Sequence, residues 1–250
     1  MQEGRHFSGY DGNDCFLPRD VFCGEPMRVA YWRRAQKDAA LHAAAILKGL
    51  VTRVRQAWPG VRILFRGDAG CCRPLLMSGC ERNDVDSVIG LAKPSRLHRL
   101  CASGYESPAT AFEETPLPQR HFGEFVYRAG AWSRTRRVIV KAEHNAQGAN
   151  PRFIVTPLGH SPPERYERGY CARGERENRI KECQLGLFAD RTSCPLWWPH
   201  QFRLWLASLA CVLRERRRAI GLVGTQLARA QVGTIRPRRL KMGAVIVRHT

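Results

Sequence analysis

No stretch of this sequence stays apolar for the ~18–20 residues that a membrane-spanning helix needs. The longest apolar run, Leu204 to Leu213, has ten residues and includes Ser208. The start, Met1-Gln-Glu-Gly-Arg-His, lacks the apolar core of a secretory signal. Cysteine is plentiful, at ten, yet no Cys-x2-Cys pair occurs and the histidines show no His-Glu-x2-His spacing. Neither a structural zinc site nor a metalloprotease-type site is therefore expected. With no export signal, the thiols are expected to be free in a reducing cytoplasm. Acidic residues are scarce, with 22 Asp and Glu against 41 Lys and Arg, a net charge of +19. That imbalance calls for a polyanionic partner, nucleic acid or an anionic membrane surface.

What is present reads as globular. Hydrophobic residues make up 44% and charged residues 25% of 250 positions, enough for one large or two small domains with a core. A turn-rich start, Gly9 to Asp14, precedes an expected strand at Cys15–Cys23 and a second at Met27–Trp32, joined by Gly24-Glu-Pro26 as a hairpin. Asp38 is the expected N-cap of a helix running to Trp58, with Leu47, Leu50, Val51, Val54 and Trp58 as its buried stripe. Val61–Arg66 reads as a buried strand, Arg73–Asn83 as a helix and Ser87–Ala92 as a strand, a strand–helix–strand α/β unit. Ser103–Gln119 is a Pro, Glu, Ser and Thr-rich connector. Strands are expected at Gly123–Ala129, Arg137–Ala142 and Arg152–Thr156. Helical patterns run from Tyr170 through Asp190 and from Pro199 to Ile220.

Several residues could carry chemistry. Asp68 ends a buried strand and is followed by Ala-Gly, the place where open α/β sheets put ligands; the plainer alternative is a turn aspartate. From Tyr170, the offsets of Arg173, Glu177, Lys181 and Gln184 are 3, 7, 11 and 14. If the segment is helical throughout, these five share one face, opposite an apolar stripe of Ile180, Cys183 and Leu187. A solvated face laced by ion pairs such as Arg173–Glu177 is the alternative. Trp132 precedes Ser-Arg134-Thr-Arg136-Arg137, which suits base stacking with phosphate contacts, or else a packed tryptophan beside a solvated basic edge. Trp197, Trp198 and Trp205 fit helix packing against a sheet. The last 50 residues hold 11 Lys and Arg against one acid, Glu215, a tail suited to the DNA backbone.

Tyr-x2-Arg-x3-Glu on a helix, after a strand ending in Arg-x-Asp-x-Gly, resembles the DDE transposases of bacterial insertion sequences, in particular the branch with a group 1 DDE domain. The matching text spans nearly the whole chain. It includes Gln2-Glu-Gly-Arg, Arg62-Ile-Leu-Phe-Arg-Gly-Asp68-Ala-Gly, Gly90-Leu-Ala-Lys, Trp132-Ser-Arg-Thr-Arg-Arg137, Lys141-Ala-Glu-His144, Tyr170-Cys-Ala-Arg-Gly-Glu, Glu177-Asn-Arg-Ile-Lys-Glu and Ala228-Arg-Ala-Gln-Val-Gly-Thr-Ile-Arg.

The resemblance implies an α/β fold: a ribonuclease H-like mixed sheet with a β-rich insertion before the last catalytic helix. Residues 1–102 would form the first part of the core, 103–165 the connector and insertion, 166–220 the last part of the core, and 221–250 a basic tail. It also implies three carboxylates holding two Mg2+ ions (or Mn2+), which would stabilise the attacking and leaving oxygens of an in-line phosphoryl transfer. Asp68 and Glu177 would be the second and third carboxylates, catalytic and metal-ligating. Tyr170, Arg173 and Lys181 would contact the DNA end; the family's usual Lys position is Gln184 here. The first family carboxylate lies upstream of a segment like Gln2-Glu-Gly-Arg, so it is expected to be missing, together with the opening strand and the N-terminal DNA-binding part. Asp11, Asp14 and Asp20 do not replace it. The expectation is a transposase catalytic region, truncated and inactive by itself. It would be cytoplasmic and nucleoid-associated, with DNA ends and target as partners and pairing with itself or a full-length transposase as a further option. A non-catalytic DNA-binding remnant and a basic RNA-binding protein are the competing readings.

Overall fold

The computed structural model describes residues 2–9, 11–92, 95–100, 119–145 and 148–239. Its strands are β1 (His6–Ser8), β2 (Asn13–Cys15), β3 (Arg19–Phe22), β4 (Met27–Tyr31), β5 (Leu64–Gly67), β6 (Asp86–Leu91), β7 (Gln119–Tyr127), β8 (Arg136–Asn145), β9 (Gly148–Ala149) and β10 (Arg152–Val155). Its helices are α1 (Ala43–Ala57), α2 (Pro74–Arg82), α3 (Ser95–Leu100), α4 (Pro162–Glu164), α5 (Gly174–Leu187), α6 (Trp197–Gly221) and α7 (Val232–Arg239). A π turn, Arg165–Tyr170, and a 3-10 turn, Cys171–Arg173, lead from α4 into α5. The fold is mixed α/β. The expected connector at 103–119 lies almost wholly outside the described residues.

The chain divides into two compact units, Met1–Lys37 with Gly174–Thr250, and Asp38–Arg173. The continuous unit is built on one sheet. Its strand order is β5-β6-β10-β8-β7, with β9 beside β8. β5 runs parallel to β6, and β10 pairs antiparallel with both β6 and β8. The strands expected as an insertion thus extend the α/β sheet itself. Each inner strand alternates between two buried faces. Ile89, Val138, Val140, Phe153 and Val155 meet Met77, Leu97 and Trp132, while Val88, Ile139 and Ile154 meet Tyr166. Burial on both faces explains the unbroken runs Val-Ile, Val-Ile-Val and Phe-Ile-Val in these strands. α1 lies on α2 through Val51, Cys80 and Val85, with Leu47 and Phe65 at the edge. Trp58, expected on this stripe, is exposed.

Helix α1 starts five residues later than its expected cap. Asp38 instead accepts from the Ala40 amide at 2.6 Å and pairs with Arg73 at 2.9 Å. A bent segment follows, ending in His42 at φ 59°.

The other unit joins the two ends of the sequence. β1 pairs with β2 and β3 pairs with β4, in separate two-stranded sheets. An uninterrupted strand over Cys15–Cys23 is not formed: the chain breaks around Pro18, which has no amide hydrogen to give a ladder. Met27, Ala30, Trp32, Cys183, Leu204 and Cys211 form the core here, with Phe16 and Trp197 at its border. Among the described residues, β4 has β3 on one side only. On its other side the Gln201 side chain of α6 takes the place of a strand: it accepts from the Trp32 amide at 2.7 Å and donates to the Ala30 carbonyl at 3.1 Å.

α6 buries Leu204, Ala207 and Cys211 but carries apolar residues on its exposed face as well. Its covered side carries His200, Gln201, Arg214, Glu215 and Arg218, while Trp198, Phe202, Trp205, Leu209 and Leu213 are all more than half exposed. Of the three tryptophans expected to pack, only Trp197 does, against Phe16 and Trp32.

Candidate functional site

Asp68 stands where β5 leaves the sheet. Its backbone is extended, and its Oδ1 accepts from the Cys71 amide at 3.1 Å, capping the turn Ala69–Cys71. The carboxylate is exposed. Two glycines make the turn possible. A Cβ on Gly67 would lie 2.7 Å from that of Cys71. A Cβ on Gly90, in the neighbouring strand, would lie 3.0 Å from the Ala69 amide nitrogen, 3.2 Å from the Asp68 carbonyl carbon and 2.6 Å from the Tyr170 hydroxyl. The bare Gly90 backbone is therefore where the Asp68 turn and the Tyr170 phenol meet, and two of the expected site residues are neighbours. Tyr170 is half-buried, its ring 5.6 Å from that of Tyr166. Lys141 lies 5.4 Å over the Tyr166 ring and pairs with Glu143 at 2.9 Å. The Gly90-Leu-Ala-Lys text was visible in the sequence, but its need for a residue without a side chain emerges only from the pairing of β6 beside the Asp68 turn.

Glu177 and Lys181 are exposed, four residues apart on α5, and share a face. The common face expected for all five residues from Tyr170 to Gln184 does not extend back to the start. A helix of 3.6 residues per turn would be required, and a π turn ends at Tyr170 with a 3-10 turn after it. Arg173 closes that 3-10 turn; its side chain is outside the described residues. Tyr170 and Asp68 belong to the continuous unit, Glu177 and Lys181 to the other. The apolar side of α5 is as expected, with Cys183 buried and Ile180 and Leu187 half-buried.

The basic run after Trp132 is largely consumed within the protein. Trp132 is 5% exposed, in edge contact with Tyr127 at 5.5 Å, and the Arg136 guanidinium lies 5.3 Å over its ring. A tryptophan so covered has no face to offer a base, which removes it from the nucleic-acid set. Arg136 is itself buried and donates two hydrogen bonds to Glu81, at 2.7 and 3.1 Å. Burial pushes the Glu81 carboxyl up, but Arg136 and Arg134 outweigh it and hold it below its ordinary value. Arg137 pairs with Glu124 and donates to the carbonyls of Leu158, Gly159 and His160, tying down the segment after β10. Of the run's three arginines, Arg134 alone is exposed, though it also reaches Glu81 at 3.1 Å.

One cluster that looks like a solvated face in the sequence is an ion network. Glu182 accepts from Arg218 at 2.9 Å, from the Val232 amide at 3.0 Å and from Arg179 at 3.1 Å, and Arg214 lies 2.9 Å away. Glu215 contacts Arg179, Arg214 and Arg218. Burial raises the Glu182 carboxyl, yet the Arg218 hydrogen bond, the Arg214 charge and the Val232 amide together leave it below its ordinary value. The network fixes α5, α6 and the start of α7 to one another. Charges spaced along two helices 30 residues apart in sequence carry no local sign that they meet.

Among the described residues, no three His, Cys, Asp or Glu side chains are grouped as ligands for a metal ion. These residues by themselves do not fit the carboxylate set of a two-metal centre. Also among the described residues, no helix is long and apolar enough to cross a membrane.

No curated protein matches the sequence. The family model described as transposase DDE domain group 1 does, over residues 1–250. Because that match spans the whole sequence, the chain belongs to the group 1 DDE-domain transposase family.

Proposed function

We propose that this chain is a DNA-binding transposase domain of ribonuclease H-like ancestry that engages duplex DNA through its phosphates. Asp68 and Glu177 are assigned as two of the three carboxylates that would hold Mg2+ in the family's phosphoryl-transfer centre, a set these two alone do not complete, and Tyr170, Arg173 and Lys181 as contacts to the DNA end. The family match over the whole sequence carries this reading. The net charge of +19 supports it, since each phosphate neutralised by Lys or Arg releases counterions. The exposure of Asp68, Glu177 and Lys181 leaves them accessible to a backbone. With no third carboxylate assigned, this polypeptide alone binds DNA and does not cut it.

A salt titration of binding to duplex DNA tests the first half. Each phosphate contact contributes about −0.9 to the slope of log affinity against log salt, so Lys181→Ala should make the slope less negative by about that amount. A wild-type slope near zero would overturn the proposal. Strand nicking by the purified chain with Mg2+ or Mn2+, abolished by Glu177→Gln, would overturn the second half.

A further inference from the structure

We propose that Cys183 and Cys211 form a dithiol that reacts with small hydroperoxides and closes to a disulfide, fastening α5 to α6. The two residues are free cysteines on different helices, 3% and 0% exposed, with their sulfurs 2.9 Å apart. Both lie in the unit built from the chain ends. The pair needs a way in for an oxidant, and Cys183 supplies it. Cys183 is one of the residues lining a cavity of about 250 Å3, together with Asp20, Met27, Trp32, Gln184 and Ser208. Sites for drug-sized ligands run about 300–1,000 Å3. A cavity below that range suits hydrogen peroxide or a short alkyl hydroperoxide and excludes a bulky peptide disulfide.

The electrostatics divide the roles. The Cys183 thiol donates to Cys211, and that hydrogen bond, with burial, pushes Cys183 up. The same bond lowers Cys211 against the opposing effect of burial, helped by the Arg214 guanidinium, whose Nη2 is 3.5 Å from the Cys211 sulfur. Once Cys211 has lost its own proton, eased by Arg214 and opposed by the nearby Glu215 and Glu182, a single proton lies between the two sulfurs. When it crosses to Cys211, the Cys183 sulfur is the thiolate, which is the nucleophilic form. That sulfur attacks the hydroperoxide: an S–O bond forms, the O–O bond breaks, and the departing alkoxide or hydroxide takes the proton from Cys211. Cys183 is then a sulfenic acid and Cys211 a thiolate held by Arg214. Cys211 attacks the Cys183 sulfur, the S–S bond forms, and hydroxide leaves and is protonated by solvent. The dithiol gives two electrons, and the O–O bond accepts them.

The consequence concerns the helix that carries Glu177 and Lys181. Crosslinking at Cys183 would add a covalent tie between α5 and α6 to the ion network that already joins them. Exposed Cys23 and Cys171 act as internal controls, because they meet peroxide directly.

The test treats the purified full chain with stoichiometric hydrogen peroxide, then maps peptides under non-reducing conditions. The expected result is a Cys183–Cys211 linked peptide, lighter than the two separate peptides by two hydrogens and split by dithiothreitol. In Cys211→Ser, where the second step has no partner, a sulfenic-acid probe should label Cys183. Recovery of both residues as free thiols while Cys23 and Cys171 are oxidised would overturn the proposal. So would linkage of either residue to a different cysteine. Both readouts come from the wild-type chain and do not depend on a variant folding.

Discussion

Asp20 is a carboxylate placed where a strand should be apolar, and its cost can be measured. It lies on β3 opposite Ala30. Its Oδ1 is shielded from solvent and has no hydrogen-bond partner among the described residues. Burial pushes its carboxyl from 3.8 up to about 6. In the unfolded chain the group keeps its ordinary value. Below about pH 4 it is protonated in both states and costs nothing by ionisation. As pH rises toward 6, the unfolded chain releases the proton and the folded chain keeps it, so stability falls. Above 6 the loss is complete. Two pKa units at about 1.4 kcal/mol each come to about 3 kcal/mol. Asp20→Asn keeps the shape and removes the charge. The assay is urea denaturation followed by tryptophan fluorescence, at pH 4 and at pH 7.5, with buried Trp32 in the same core as reporter. The variant should match the wild type within about 1 kcal/mol at pH 4 and exceed it by about 2–3 kcal/mol at pH 7.5. Other groups titrate in this range, but they are common to both proteins and cancel in the difference. A difference that stays constant from pH 4 to 8 would refute the reasoning.

Three further outcomes are expected. Gln201→Met leaves the Trp32 amide and the Ala30 carbonyl without the partner that completes β4, and at about 1–3 kcal/mol per buried group it should cost about 2–5 kcal/mol in denaturant unfolding. Glu182→Gln breaks the network holding α5, α6 and α7, with an expected loss of about 3–5 kcal/mol. Because the folded-state carboxyl is lowered, the stability from Glu182 is present above its unfolded pKa and lost as pH falls through the folded one. The acid limb of the wild-type stability curve should therefore flatten in the variant. Gly90→Ala drives a methyl into the Tyr170 hydroxyl and the Ala69 amide; a loss of about 1–3 kcal/mol is expected in thermal unfolding, partly recovered by adding Tyr170→Phe, which removes only one of the two obstacles.

What the sequence disclosed, and what it hid, follows from the range of each interaction. β6, β8 and β10 are close to where periodicity places them, because a doubly buried strand writes its two faces as one apolar run; β4 and α2 are also close to their expected bounds. The start of α1 was misplaced because Asp38 has a competing partner, Arg73, 35 positions away. The face shared by Tyr170 and Glu177 failed for a local reason: sequence spacing assumes one helical pitch, and two other pitches intervene. At the site, Asp68 and Glu177 could be named because a strand end and a helix position are local features. The seat that Gly90 provides for Tyr170, the consumption of Arg136 by Glu81 and the burial of Glu182 each depend on distant partners, which composition does not register.

A unit assembled from residues 1–37 and 174–250 cannot be completed until its second segment has been made. The strands of the continuous unit's sheet all lie between Leu64 and Val155, so that sheet can close earlier. During the interval, β3 and β4 wait as an uncovered hairpin, with Trp32 and Phe16 exposed and no Gln201 to finish the edge. Trp32 and Gln201 are 169 residues apart, so synthesis at roughly 5–20 residues per second makes that wait roughly 8–34 seconds long. The amino-terminal hairpin is thus an expected client of chaperones that bind nascent apolar segments. Slowing translation over residues 174–221 should lower the yield of soluble protein more than an equal delay over residues 38–90.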